Sequence, residues 1–107
     1  QGRYEEAEKH YLRSLAIYEK EWGPEHAAVA DMLNNLGLLC GDLGRNEEAE
    51  RYYLRSLAIK EKVWGSDHAD VARTLNNLGN LYEDLGRNEE AATVRARAET
   101  ILAQQNS

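Results

Sequence analysis

Long apolar runs are missing from this sequence. None approaches the roughly 20 residues that a membrane-spanning helix requires, and no signal-peptide or lipidation motif is visible. Cysteine is nearly absent. Cys40 is the only one, so no internal disulfide can form, and a reducing, cytoplasmic setting is expected. Positive charge is in deficit: 13 Lys and Arg stand against 19 Asp and Glu, a formal net charge of −6. That argues against nucleic acid, which needs clustered cations, and against an anionic membrane surface. Strand signals are lacking, because β-branched residues are few and nothing alternates with a period of two. A catalytic constellation is lacking too. There is no glycine-rich phosphate loop; Glu5-Glu6 and Glu47-Glu48 read as solvated helix starts; Ser14 and Ser56 read as small packing residues. The expectation is a protein without enzymatic activity and without a cofactor.

What is present is a repeat. The chain has 107 residues, 42% hydrophobic and 30% charged, the composition and length of one globular domain. Residues 2–43 and 44–85 align without gaps, and 29 of the 42 positions are identical. A third copy begins with GRNEEA at residue 86 and then drifts. A fixed period of this size signals stacked supersecondary units. Each unit contains two helical patterns. One is expected over about Glu47 to Trp64, with Asn46 as N-cap, Glu47 and Glu48 at the positive end of the dipole and Gly65 as terminator. The other is expected over about Ala69 to Leu85, entered through Ser66-Asp67 and closed by Gly86.

The sequence LNNLG occurs at residues 33–37 and again at 75–79, inside the second of these patterns. Glycine in a helix interior costs about 1 kcal/mol relative to alanine, and asparagine tends to divert its side chain to the backbone. A helical wheel puts Val71, Leu75, Leu78, Gly79, Tyr82 and Leu85 on one arc and Arg73, Asn76, Asn80, Glu83 and Asp84 on the opposite one, with Asn77 at the edge. One face is therefore buried and the other presents polar groups together. Gly79 falls on the buried arc, where a missing side chain lets a neighbouring helix approach.

These residues resemble a tetratricopeptide repeat. Leu75, Leu78, Gly79, Tyr82 and Ala91 follow its pattern of large, large, small, aromatic and then small residues, and Leu33, Leu36, Gly37, Cys40 and Ala49 repeat it. The 42-residue period, the GPEH and GSDH linkers and LNNLG are similar to the subclass found in kinesin light chains and many bacterial sensor proteins. The resemblance implies an all-α solenoid of antiparallel helix pairs in a right-handed superhelix, about two and a half repeats here. The inner helices, 26–42 and 68–84, would line the concave surface, and 3–21, 46–64 and 88–104 would form the back. The expected organisation is one domain over 1–107, part of a longer array. An orphan second helix lies at 1–23, repeats at 24–65 and 66–105, and a tail at 106–107. In the third copy Arg95, Ala96 and Glu99 replace Tyr53, Leu54 and Leu57, so 88–104 is expected to be a C-terminal cap with a polar outer face, and AQQNS a frayed end.

The resemblance implies that the inner-helix polar arc contacts an extended peptide. The candidate groove residues are Asp31, Asn34, Leu38, Asp42, Arg73, Asn76, Asn80, Glu83 and Asp84, with Gly41 on the same arc. An asparagine amide matches a peptide group's donor and acceptor, so Asn34 and Asn76 are expected to hold backbone, unless they brace a neighbouring helix or face water. Leu38 would receive an apolar side chain. Only Arg73 is basic among these residues, unlike family members that use Lys and Arg to grip acidic tails or cargo. Neutral or basic peptides are therefore expected over acidic ones. His26 and His68 are expected as helix-start residues rather than as a metal site, Cys40 as a small buried hydrophobe, and Trp22 and Trp64 as plugs in the seam between units. The alternative to a peptide groove is self-association, as a homodimer or by helix exchange, through apolar surface on the N-terminal helix around Tyr4, Tyr11, Leu15 and Tyr18.

Overall fold

The computed structural model describes residues 2–105. Five helices follow one another: α1 (Gly2–Trp22), α2 (Ala27–Asp42), α3 (Asn46–Trp64), α4 (Ala69–Asp84) and α5 (Asn88–Gln105). The described residues contain no strand, and no helix among them is long and apolar enough to cross a membrane.

The same local devices set the helix boundaries in each copy. His26 and His68 are the N-caps of α2 and α4. Their Nδ1 atoms accept from the backbone N–H of Ala28 at 3.0 Å and of Asp70 at 3.1 Å, so each ring carries its proton on Nε2. The histidines, and not Ser66-Asp67, supply the cap. Asn46 is the first residue of α3, and the cap position belongs to Arg45, whose side chain makes no capping bond. At the other ends, the Arg45 N–H reaches the Cys40 carbonyl at 2.8 Å and the Gly44 N–H reaches Gly41 at 3.1 Å; Arg87 to Tyr82 and Gly86 to Glu83 repeat the pair. This double bond requires a left-handed residue after the helix, and Gly44 and Gly86 supply it at φ 77° and 76°. The tail differs from expectation, since α5 continues through Gln105; Asn106 and Ser107 lie outside the described residues.

Helices α2 and α3 pack as one antiparallel hairpin and α4 and α5 as the next, with α1 against α2 and α3 against α4. Their apolar faces form one cluster around Leu15, Val29, Leu33, Leu36 and Ile59, a second around Cys40, Tyr53, Leu78, Leu81 and Tyr82, and a third around Val71, Leu75, Ala98 and Ile101. Leu15 is buried by α2, so the apolar surface left on α1 is smaller than the sequence suggests; Tyr4, Leu12 and Ile17 remain exposed.

Neighbouring units are tied by a ladder of ion pairs with the repeat's own period. Glu8 pairs with Arg45 and Glu50 with Arg87; Glu19 pairs with Arg55 and Glu61 with Arg97. Each is partly exposed and contributes about 0–1 kcal/mol, so the ladder sets register more than stability. Trp22 and Trp64 do not plug the seam. They lie on the surface, 54% and 36% exposed, stacked on the capping rings of His26 and His68.

Candidate functional site

The LNNLG glycines are explained by what crosses them. A Cβ on Gly37 would sit 2.5 Å from Tyr53 Cε1, and a Cβ on Gly79 would sit 2.8 Å from Arg95 Cγ. The inner helix and the outer helix of each unit therefore meet at the glycine, closer than any side chain permits. Tyr53 and Arg95 are one repeat apart. The tyrosine ring packs against Gly37 and is buried, whereas the arginine crosses Gly79 to reach Asn80 and Glu83 on α4. There its guanidinium donates to the Glu83 carboxylate and, at 2.5 Å, to the Asn80 side-chain carbonyl.

The two asparagines divide the work between units. Asn34 is buried, and its Oδ1 accepts from Thr74 Oγ1 at 3.3 Å and from Asn77 Nδ2 at 3.1 Å, both on α4. Thr74 in turn accepts from Lys60 Nζ at 3.0 Å. So the first asparagine of one unit receives the second asparagine of the next, and a lysine with no exposed surface closes the chain. Burial, and then the charge of Arg73, hold the Lys60 ammonium below the usual lysine range. Asn34 must accordingly be removed from the groove surface: it is an inter-unit brace, because α4 covers it. Asn76, its counterpart, is exposed. A wheel drawn on one helix carries no information about which polar position the next unit covers.

The remaining candidates lie where α2 and α4 run side by side. A hollow of about 190 Å³ is lined by Leu38, Gly41, Asp42, Tyr53, Asn77, Asn80, Leu81 and Asp84. It brings together Leu38, Asp42, Asn80 and Asp84 from the expected set. Asp31, Arg73, Asn76 and Glu83 are exposed but do not line it. Asp31 and Asp70 flank Arg73 at 3.8 and 3.5 Å, and Glu83 is neutralised by Arg95. Asp42 and Asp84 have no ion pair among the described residues. Each is the last residue of its helix, with no basic residue in that last turn. A carboxylate at the negative end of a helix dipole is electrostatically unfavourable, so both positions concentrate negative potential on the hollow. Tyr53, Asn77 and Arg95 were not among the expected site residues. The substitution of Arg95 for Tyr53 was the readable signal, since the repeat register places it beside Gly79.

A second group of donors sits on the other side of Cys40. Glu8, Cys40 and Glu48 present ligand atoms within 4.8 Å of one another. Arg45 already occupies their centre, donating to Glu8 and to Cys40 Sγ at 3.6 Å and lying 3.6 Å from Glu48. Its guanidinium supplies the positive charge that the cluster needs, and burial pushes the Cys40 thiol up, which keeps it protonated. The next unit builds the same arrangement with Tyr82, Glu50 and Glu90 around Arg87. These are structural knots, consistent with Cys40 as a buried small residue.

Comparison with known proteins then decides the family. The model of the tetratricopeptide repeat family matches residues 1–62 and again residues 29–104. The chain belongs to the tetratricopeptide repeat family. Among solved structures, the crystal structure of BtubC (BKLC) from P. vanneervenii is similar over 99% of this chain at 33% sequence identity and a TM-score of 0.90. The chain spans 41% of the length of that protein. No match was found among curated proteins. The likeness agrees with the 42-residue, kinesin-light-chain-like form of the tetratricopeptide repeat, and tetratricopeptide units are in general protein–protein interaction modules.

Proposed function

We propose that this tetratricopeptide domain holds an extended peptide or partner segment along the inner surface of α2 and α4, and that neutral or basic segments bind in preference to acidic ones. The observation that carries this reading is the hollow between the two inner helices, flanked by Asp42 and Asp84 without compensating cations. Asp31, Leu38, Asp42, Arg73, Asn76, Asn80, Glu83 and Asp84 form the contact surface, and Asn34 acts only through the position of α4. The domain works as a scaffold in the cytoplasm and carries out no reaction of its own. Within the same reading α5 caps the stack. The acidic positions that receive the next unit's arginines, Glu8 and Glu50 in one row and Glu19 and Glu61 in the other, are Ala92 and Ala103 in the third copy.

The test is fluorescence anisotropy with labelled extended peptides of one Ala/Ser host sequence carrying basic, neutral or acidic residues. Basic peptides bind best, their affinity falls as salt rises, and an Asn76→Ala/Asn80→Ala variant binds less while keeping its helical signal. Equal affinity for the acidic and basic sets would refute the reading.

Self-association has one observation in its favour. A hollow of about 340 Å³ lies between α1 and α2, lined by Tyr4, Ala7, Tyr11, Asn35, Leu38 and Leu39 with Arg3 and Asp42 at its rim. Asn35 corresponds to Asn77 but has no partner among the described residues. A helix from a second copy, presenting an Asn34-like acceptor, fits that face. Light scattering over a concentration series tests it, and a strict monomer at high micromolar concentration would exclude it.

A further inference from the structure

Tyr53 presents its hydroxyl to the hollow between α2 and α4. Tyr53 is 4% exposed and lines it, yet its hydroxyl makes no hydrogen bond among the described residues. The ring is buried, whereas the hydroxyl oxygen is reached by solvent from the hollow, and no partner among the described residues competes for it. Its ring has no freedom to seek one elsewhere, because it is wedged against the backbone of Gly37. Burial, followed by the negative charge of Asp42, pushes the Tyr53 ionisation up, so the hydroxyl stays neutral and feels Asp42 from close by.

The rest of the lining is arranged around that group. Leu38 and Leu81 supply apolar wall, and Asp42 and Asp84 supply uncompensated negative charge at the helix ends. No Lys or Arg lines the hollow; Arg3, across the adjoining depression, makes no ion pair with Asp42. The two rim asparagines are each half-used. Asn77 spends an amide N–H on Asn34 and keeps its carbonyl, whereas Asn80 has its carbonyl held by Arg95 and keeps its N–H donors. One carbonyl acceptor and three N–H donors therefore remain, enough to meet both groups of a single peptide unit.

We propose that this hollow is the pocket for one lysine or arginine side chain of the partner segment, its alkyl stem on Leu38 and Leu81, its cationic head on Asp42 with the Tyr53 phenol oxygen as a further acceptor and Asp84 adding negative potential, and its backbone on Asn77 and Asn80. An ammonium carries three N–H donors and no acceptor, and the Asp42 carboxylate and the Tyr53 phenol oxygen are there to receive them, with Asp84 on the same lining. A norleucine stem of the same length gains only the apolar wall and makes no bond to Asp42 or Tyr53. This inference rests on the groove reading above and assigns the chemistry of one position within it.

The experiment titrates isotope-labelled protein with four peptides of one Ala/Ser host sequence, bearing Lys, Arg, norleucine or Glu at a single central position, and follows backbone amide shifts. Lys and Arg peptides are expected to shift Leu38, Asp42, Asn80 and Asp84 saturably and to bind about tenfold or more tighter than the norleucine peptide, the scale of a charge-assisted hydrogen bond. An Asp42→Asn/Asp84→Asn variant should bring Lys and norleucine to within about twofold of each other. Tyr53→Phe should weaken the Lys peptide by about threefold or more and leave the norleucine peptide unchanged. Because the hydroxyl has no partner in the fold, Tyr53→Phe should also leave the thermal midpoint unchanged, which separates ligand binding from a structural role. If all four peptides shift Asp31, Arg73 and Asn76 equally, the groove holds a peptide but the cation pocket is refuted. If no peptide shifts any inner-helix amide, both readings are overturned.

Discussion

The two LNNLG glycines look alike in sequence and should behave differently when replaced by alanine. At Gly37 the new Cβ would stand 2.5 Å from Tyr53 Cε1, 2.6 Å from Cδ1 and 2.9 Å from Cζ. Ordinary carbon–carbon contact is about 3.5–4.0 Å, so the ring would have to retreat by about 1 Å. It is packed between Gly37 and the cluster of Leu78 and Leu81, and shifting into the adjoining hollow would give up that packing. Overpacking of this kind costs about 1–3 kcal/mol, and the helix regains about 1 kcal/mol from alanine. Gly37→Ala should therefore destabilise the fold by up to about 2 kcal/mol, a fall in thermal midpoint of up to about 10 °C. At Gly79 the nearest atoms are Arg95 Cγ at 2.8 Å and Nε at 2.9 Å. That side chain is flexible and partly exposed, and it can swing away by giving up its bonds to Glu83 and Asn80. Those exposed interactions contribute about 0–1 kcal/mol, so Gly79→Ala should be neutral or stabilising by up to about 1 kcal/mol. Circular dichroism at 222 nm during thermal and urea unfolding measures both. Gly37→Ala made in a Tyr53→Leu background should lose most of its penalty, as coupled neighbours do. Equal effects at the two glycines, or an undiminished penalty in the Tyr53→Leu background, would refute the close-contact explanation.

Three further outcomes are expected. Asn34→Ala removes the acceptor of Thr74 and Asn77 and should cost about 1–3 kcal/mol, whereas Asn76→Ala should change stability by less than about 0.5 kcal/mol; urea midpoints distinguish a brace from an exposed residue. Lys60→Met relieves the burial of a charge whose one hydrogen bond among the described residues is to Thr74 and should raise stability at neutral pH by about 1 kcal/mol. Folding lowers the Lys60 value below 10.5, so the unfolded chain binds more protons in that window and the penalty fades as pH rises toward 10.5; the advantage of Lys60→Met should shrink over the same range. Denaturation of the two proteins in parallel from pH 7 upward cancels the opposing contribution of Tyr82, which is pushed up to about 12 by burial and by Glu50. On the acid side, Arg87 holds Glu50 and Glu90 below 4.5 and Arg95 does the same for Glu83. The stability these carboxylates confer is complete above that value and lost as pH falls through their folded values. An Arg87→Met variant should show a shallower acid decline, and an unchanged profile would remove the ion pair from the explanation.

Much of the fold was legible because the chain states it twice. The periodicity places the inner helices within a residue or two of α2 and α4, and the glycines' position on the buried arc implies the close helix contact. Errors arose where a residue's role depends on a neighbour. Asn46 and Ser66-Asp67 are good cap types by composition, but the chain enters α4 so that His68 reaches the second N–H, and Arg45 precedes α3. Trp22 and Trp64 have the size to fill a seam, yet each lies outside it against a histidine ring. The polar arc names Leu38, Asp42, Asn80 and Asp84, which line one hollow in the structure. It does not name Tyr53, which belongs to an outer helix and reaches the inner surface only through the gap left by Gly37.

Sequence alone determined the period, the helical hairpin and the identity of the inner helices, since these follow from local capping, helical periodicity and an apolar face that one hairpin cannot bury by itself. Only the tertiary structure decided which of two equivalent asparagines is exposed, which carboxylates are left without a cation and where an outer-helix tyrosine opens onto the inner surface. Those properties arise from contacts between units, and two copies with nearly the same residues differ in them because α4 lies over the first copy's Asn34 while no described helix lies over the second copy's Asn76.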